Sequence, residues 1–367
     1  MIIIGGGLAG GTAAWHLARG GAAVTLIERT TEPHDKVCGE FLSGEALGEL
    51  RSMGIEPRDH GAASLTRVRT AARGDASAAP LPFEAVSLSR RILDELVLQR
   101  AAEAGADILR GVTVRAATPD SVLLRDGDSI HAPAVIVATG KHDLSQHKRP
   151  PGRHDGMVGI KTYLAVRPSV MADLRSTVDV VFFPGGYIGF QEVEGSRINA
   201  CLAAEQWALS EAGGDPTALL RRVAQQSEHA HRIFADCSFL LEKPLAVGRI
   251  PYGLVRSRTD GLYYIGDQAA VIPSFCGEGM GLALRSGRLV AEAVLSGRSA
   301  TDFQSSFARL AGRRVKAAAT LSAILAKPSA QRLAAGLAGA APFLVTALAA
   351  ATRTPPTPQA SGHVLAQ

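Results

Sequence analysis

The sequence reads as an α/β protein with a first domain on a parallel sheet, a second on a mostly antiparallel sheet, and a helical C-terminal tail. Three observations carry this reading. The chain opens on an apolar run, Met1 to Ile4, that leads through a glycine cluster into a small-residue helix. From Val158 to Leu202 several segments alternate apolar with polar residues, the period of strands with one buried face. At 367 residues the chain exceeds what one ordinary core needs.

The first turn, Gly5-Gly6-Gly7-Leu8-Ala9-Gly10, fits GxGxxG and sits between a strand and a helix. Gly5 permits the tight turn, Gly7 clears the approach of a pyrophosphate, and Gly10 lets helix and strand pack closely. Leu8 and Ala9 open the helix, whose free amides and partial positive charge suit phosphates. The next strand, Ala23 to Ile27, is apolar and ends at Glu28, where a carboxylate accepts ribose hydroxyls. Arg29 follows as a further cofactor contact. This is a Rossmann-like start, and it predicts dinucleotide binding.

Residues 34–44 read as a loop, Glu45 to Met53 as a short helix, and 64–88 as an exposed hairpin. Ser89 caps a helix that begins at Arg90, with Leu93, Leu96, Val97 and Ala101 on one face. Short strands fill 107–138, and the polar stretch 141–156 marks a domain crossing. After the alternating strands, helices are expected near Ala203 to Ser210 and Pro216 to His229. A strand then covers Leu262 to Ile265, a helix Gly279 to Leu295, and a helical tail follows. The predicted division is 1–155 for the first part of the nucleotide domain, with 64–88 joining the substrate domain, and 156–245 for the substrate domain. Residues 246–300 return to the nucleotide domain, 301–352 form C-terminal helices, and the Pro-rich polar stretch 353–367 is a flexible tail.

A second loop distinguishes the cofactor. The strand at 262–265 ends in Gly266-Asp267; Pro273, Gly277, Gly279 and Met280 then lead into a helix. Asp267 is placed to bond a ribityl hydroxyl, and the helix start near Gly279 to face the pyrimidine edge of a flavin. An enzyme that uses NAD alone does not need this second site. The prediction is FAD, bound noncovalently because no His or Cys lies in a flavinylation motif, with NAD(P)H as a candidate electron donor.

Together with Ser89-Arg90-Arg91-Ile92-Leu93-Asp94, these loops resemble the flavoprotein superfamily of p-hydroxybenzoate hydroxylase and geranylgeranyl reductase, over roughly residues 1–300. The resemblance implies that Arg90 contacts the FAD pyrophosphate or ribityl chain. Lys36-Val37-Cys38-Gly39-Glu40-Phe41-Leu42-Ser43 resembles the Cys-Gly loop of the geranylgeranyl-reductase branch, which passes close to the flavin and makes Cys38 a cofactor contact. Val180 to Leu202 is similar to that branch's substrate sheet. The chain departs from the aromatic hydroxylases, whose Asp-Gly segment is replaced by Ala138-Thr139-Gly140-Lys141-His142-Asp143. It also lacks the Trp-x-Trp-x-Ile-Pro signature of flavin halogenases, since its only tryptophans are Trp15 and Trp207, and it has no second GxGxxG.

Cys38 and Cys276 each begin a Cys-Gly-Glu triplet, so a redox pair near the flavin stands beside simple packing as a reading. Glu40 and Glu278 are candidate proton donors or acceptors of loop amides; Tyr187 and His142 are weaker candidates. No CxxC pair marks a metal site, and no nucleophile elbow supports hydrolysis. A net charge of +5 with 5% aromatics and no basic run excludes nucleic-acid binding.

The favoured reaction is hydroxylation through a flavin hydroperoxide, that of a monooxygenase. The alternatives are a flavin-dependent ene reductase and an electron carrier that docks a protein. The expected substrate is apolar and polyketide- or isoprenoid-like, under the roof Val178 to Phe190, with an external reductase or electron carrier as a further partner. Leu333 to Ala351 carries no charge and reads as a packing helix, with closing an apolar tunnel or touching a membrane surface as the alternative. With no charged leader before Met1 to Ile4, the expected location is cytoplasmic, with peripheral membrane contact.

Overall fold

The computed structural model describes residues 1–72, 74–325 and 330–331. The flexible tail expected at 353–367 and the apolar stretch Leu333 to Ala351 lie outside them.

The apolar runs of the first domain become a five-stranded parallel sheet. Its order is Tyr263–Tyr264, Val135–Val137, Ile2–Ile4, Thr25–Glu28, Asp107–Arg110. Helices cover this sheet, so its strands Ile2–Ile4 and Val135–Val137 are apolar throughout rather than alternating. Helix Leu8–Arg19 packs against Arg90–Glu103 and Gly279–Leu295. Gly287 allows the contact with the last of these, because a Cβ there would lie 2.4 Å from the Ala9 carbonyl oxygen. Ser89 caps Arg90–Glu103 through the Ile92 amide, as its sequence predicts.

The second domain is a nine-stranded, mostly antiparallel sheet. The alternating segments form His154–Ala165, Thr177–Phe183, Gly186–Val193 and Arg197–Ala204. The hairpin Ala63–Ala72 and Asp75–Ser87 joins it, pairing in parallel with Thr177–Phe183. Phe41–Ser43 adds an edge strand. Leu245–Tyr252 also belongs here, pairing with His154–Ala165, so the sheet runs past the expected limit at 245. The helix expected near Ala203 starts only at Gln206, because strand pairing holds the backbone extended to Ala204. The stretch from Pro216 breaks into Pro216–Gln226 and Glu228–Phe234, with Ser227 extended between them and capping the second helix. A three-stranded sheet at Val114–Thr118, Ser121–Leu124 and Ser129–His131 flanks the first domain. Among the described residues no helix is long and apolar enough to cross a membrane, and no group of three or more His, Cys, Asp or Glu residues could hold a metal.

Candidate active site

Two cavities meet between the domains. One, about 420 Å³, is lined by Gly5, Glu28, Arg29 and His142. The other, about 170 Å³, is lined by Leu8, Ala9, Cys38, Cys201, Tyr252, Gly266 and Met280. Both include Gly7, Val37, Arg90, Gly140, Lys141 and Asp267, so they form one elongated groove. A larger cavity of about 680 Å³, against Phe182, Ser227, His231 and Gln331, contains none of the predicted cofactor residues.

The middle of the groove is built for a diphosphate. Gly7 caps helix Leu8–Arg19 without a side chain, and no acid occupies the first turn, so the amides stay open to an anion. A Cβ on Gly7 would lie 3.4 Å from Arg90 Nη2 and 3.8 Å from Lys36 Nζ, so the vacant position faces two cations. Asp94 holds both, accepting from Lys36 Nζ at 2.7 Å and from Arg90 Nε at 2.7 Å. Burial works to raise the Asp94 pKa, but the charges of Arg90 and Lys36 outweigh it and lower the pKa.

At one end, Glu28 Oε2 accepts the Gly6 amide at 2.7 Å, and Oε1 accepts the Thr30 amide and hydroxyl at 3.0 and 2.9 Å. Burial opposes its ionisation, yet these donors and Lys36 hold its pKa below the ordinary carboxylate value. It therefore keeps its charge beside the groove. His142 lines the same end, and burial together with neighbouring cations lowers its pKa.

At the other end, Asp267 lies 3.4 Å from Lys141 Nζ. Burial alone would lower the Lys141 pKa; Asp267 and Cys38 reverse that and raise it. Helix Gly279–Leu295 points its start at the groove without a side-chain cap, and Gly277, Gly279 and Met280 line the wall. Pro273 is not on the wall; it opens the turn Ser274–Cys276 that carries the chain there. Gly10 is likewise behind the wall, where a Cβ would come within 1.9 Å of the Gly5 carbonyl oxygen.

The Cys-Gly-Glu loop is held in the groove by the large sheet. Asn199 Nδ2 donates to the Gly39 carbonyl at 2.8 Å, and Gln191 Nε2 donates to the same oxygen at 2.7 Å. Glu40 has φ 58°, a left-handed conformation that costs a non-glycine residue energy. Its buried carboxylate compensates by accepting the Arg90 amide at 2.8 Å, the Tyr163 hydroxyl at 2.8 Å, and the fully buried Lys161 ammonium. Burial raises the Glu40 pKa against the pull of Lys161.

Cys38 lies on the wall against Arg90. The neighbouring cysteine on that wall is Cys201, whose thiol burial pushes up to about 12, whereas Cys276 packs against the main core. Glu278 is buried outside the wall, within electrostatic reach of Arg314. Gly5, Gly7, Gly266, Gly277, Gly279, Glu28, Arg90, Cys38 and Asp267, all expected from sequence motifs, line one groove. Lys36, Lys141, Lys161, Asn199, Cys201 and Tyr252 stand outside the expected set. Lys161 and Asn199 had a signal: each is a polar residue amid buried neighbours in a strand.

A glycine turn facing two cations, an ionised acid at one end and a second helix start at the other match the shape and charge of FAD. These features define an FAD-dependent oxidoreductase. Residues 1–163 match the family described as Glucose inhibited division protein A. The chain is 30% identical over 324 residues to digeranylgeranylglycerophospholipid reductase 2 of Methanothermobacter thermautotrophicus, covering 81% of this chain and 79% of that protein. It is 28% identical over 336 residues to menaquinone reductase of Mycolicibacterium smegmatis, covering 84% and 79%. A solved flavin-dependent brominase has the same fold, with a TM-score of 0.79 at 16% identity over 96% of this chain and 92% of that one. The chain belongs to the geranylgeranyl-reductase family of FAD-dependent oxidoreductases.

Proposed function

We propose that this protein saturates carbon–carbon double bonds in an apolar, isoprenoid-like small molecule. The observation that carries this reading is the match to two named reductases across about four fifths of the chain. It moves the balance from hydroxylation, which the sequence alone favoured, to the ene reductase. The likeness to the brominase supports the fold only, since identity there is 16%.

FAD supplies the redox chemistry, taking electrons from a donor and passing them to the substrate. The chain's own residues bind, orient and exclude water. Lys36, Arg90 and the amides after Gly7 would hold the diphosphate, Glu28 and Arg29 the adenosine ribose, and Asp267 a ribityl hydroxyl. Cys38 and Gly39, tied down by Asn199 and Gln191, would contact the flavin. Apolar wall residues Leu202, Ile250 and Val271 leave room for a hydrocarbon chain, each methylene of which adds about 0.8 kcal/mol when buried. NAD(P)H or an external reductase supplies the electrons.

The product decides between the chemistries. Reduced holoenzyme is mixed with geranylgeraniol without oxygen, and the lipid is weighed by mass spectrometry. Gain of two hydrogens per bond is the expected result. No change without oxygen, followed by gain of one oxygen atom in air, establishes hydroxylation instead. Oxidation only by a redox protein establishes the electron carrier.

A further inference from the structure

Saturating a double bond consumes a proton as well as electrons, and that proton must reach the flavin end of the groove. Three hydroxyls on separate elements connect the groove to the outside. Tyr252, at the end of Leu245–Tyr252, lines the flavin end and hydrogen-bonds to Ser274. Ser274, in the turn after Pro273, lies 2.6 Å from the hydroxyl of Tyr187. Tyr187, in Gly186–Val193, opens on a separate outer groove lined by His154, Phe275 and Glu205. His154 Nε2 lies 3.7 Å from Glu205 Oε1 there.

We propose that Tyr252 is the proton donor of the reaction, and that Ser274 and Tyr187 resupply it from the outer groove at His154 and Glu205. The proposal rests on the reductase reading above. Serine can accept one hydrogen bond and donate another, so Tyr187 donates to Ser274 and Ser274 to Tyr252. Tyr252 is then left with its own proton to give into the groove. The electron balance is simple. One carbon gains a hydrogen with two electrons from the reduced flavin; the other gains the Tyr252 proton, using the pair from the broken π bond. The flavin ends oxidised. The tyrosinate takes the Ser274 proton, Ser274 that of Tyr187, and Tyr187 one from the outer groove. Burial raises the Tyr252 pKa and keeps its proton in place at rest, while Ser274 and Lys141, on the same wall, oppose burial and favour the transient negative charge. Tyr252 is 3% exposed, so bulk water does not resupply it directly; Ser274 is exposed, and the proton enters through it and Tyr187.

The test uses FAD-loaded enzyme and geranylgeraniol as the probe. Tyr252→Phe, Ser274→Ala and Tyr187→Phe should all retain FAD. Removing a general acid costs about a hundredfold or more in rate, so Tyr252→Phe should slow oxidation of the reduced enzyme by at least that much. Ser274→Ala and Tyr187→Phe should slow it less and enlarge the solvent isotope effect, and Ser274→Thr should restore the rate. Isotope-labelled tyrosine NMR reads the chain without turnover: Ser274→Ala should move the signals of both Tyr187 and Tyr252. A Tyr252→Phe enzyme that matches wild type, or tyrosine signals indifferent to Ser274→Ala, overturns the proposal while the reductase reading stands. Wild-type enzyme that geranylgeraniol does not oxidise overturns the reductase reading and the donor with it.

Discussion

Asp94 shows how single residues prepare the groove. Its side chain is 7% exposed and draws Lys36 and Arg90 together at the position Gly7 leaves vacant. Asp94→Asn keeps the shape and leaves two cations facing each other. Breaking a buried pair in this way costs on the order of 3 to 5 kcal/mol. The loss should be large in FAD-free protein and smaller with FAD bound, because the diphosphate then balances the cations. Melting curves with and without FAD check this; an equal loss in both states contradicts it. The pH dependence follows from the lowered pKa. Stability from Asp94 is complete above the unfolded carboxylate value, about 4, and is lost as pH falls through the lower folded value. The gap between wild type and Asp94→Asn should therefore close in acid, and a gap unchanged down to the acid limit of folding contradicts the assignment. At this scale the glycines, Glu28 and Asp267 were legible because each lies in a contiguous motif. Lys36 and Lys141 were not, because they reach the groove from loops whose meeting depends on the whole fold.

At the scale of elements, the loop from Asp35 to Glu40 is the piece the fold works hardest to hold. It has little regular structure, so its order comes from outside. Asn199 and Gln191 take its carbonyls, Lys161 and Tyr163 take the Glu40 carboxylate, and the Tyr163 hydroxyl reaches Asp35 Oδ1 at 3.2 Å. Asn199→Ala removes two of these bonds, each worth about 1 kcal/mol. Hydrogen exchange at residues 36–40 should quicken while the sheet stays protected. Unchanged exchange in the loop shows that Asn199 does not hold it. The strands around this loop were readable where they alternate, from Val158 to Leu202. The edge strand Phe41–Ser43 was too short to show a period. The parallel pairing of Ala63–Ala72 with Thr177–Phe183 joins segments about a hundred residues apart, which no local pattern reports. The stop between Gln226 and Glu228 was missed because Ser227 suits both a helix interior and the cap it forms.

Across the whole molecule, the chain makes two excursions from the first sheet into the large sheet. Phe41–Ser43 and the hairpin after it leave the first domain for the large sheet, and the chain returns at Arg90. His154–Ala165 leaves again, and the second return comes after Tyr252, at the strand Tyr263–Tyr264. Each crossing brings wall residues: Cys38 and Arg90 flank the first excursion, Lys141 precedes the second, and Tyr252 and Asp267 flank its end. The groove is therefore a property of the assembled sheets, which explains why its motif residues were legible and Lys141, Cys201 and Tyr252 were not. Its charge and length fit one FAD per chain. The most direct test is to denature the purified protein and measure the flavin released. The account predicts a yellow protein that yields about one FAD per chain to the supernatant, consistent with a site formed by hydrogen bonds and ion pairs alone. A colourless protein that fails to take up added FAD, or flavin that stays with the precipitated chain, contradicts it.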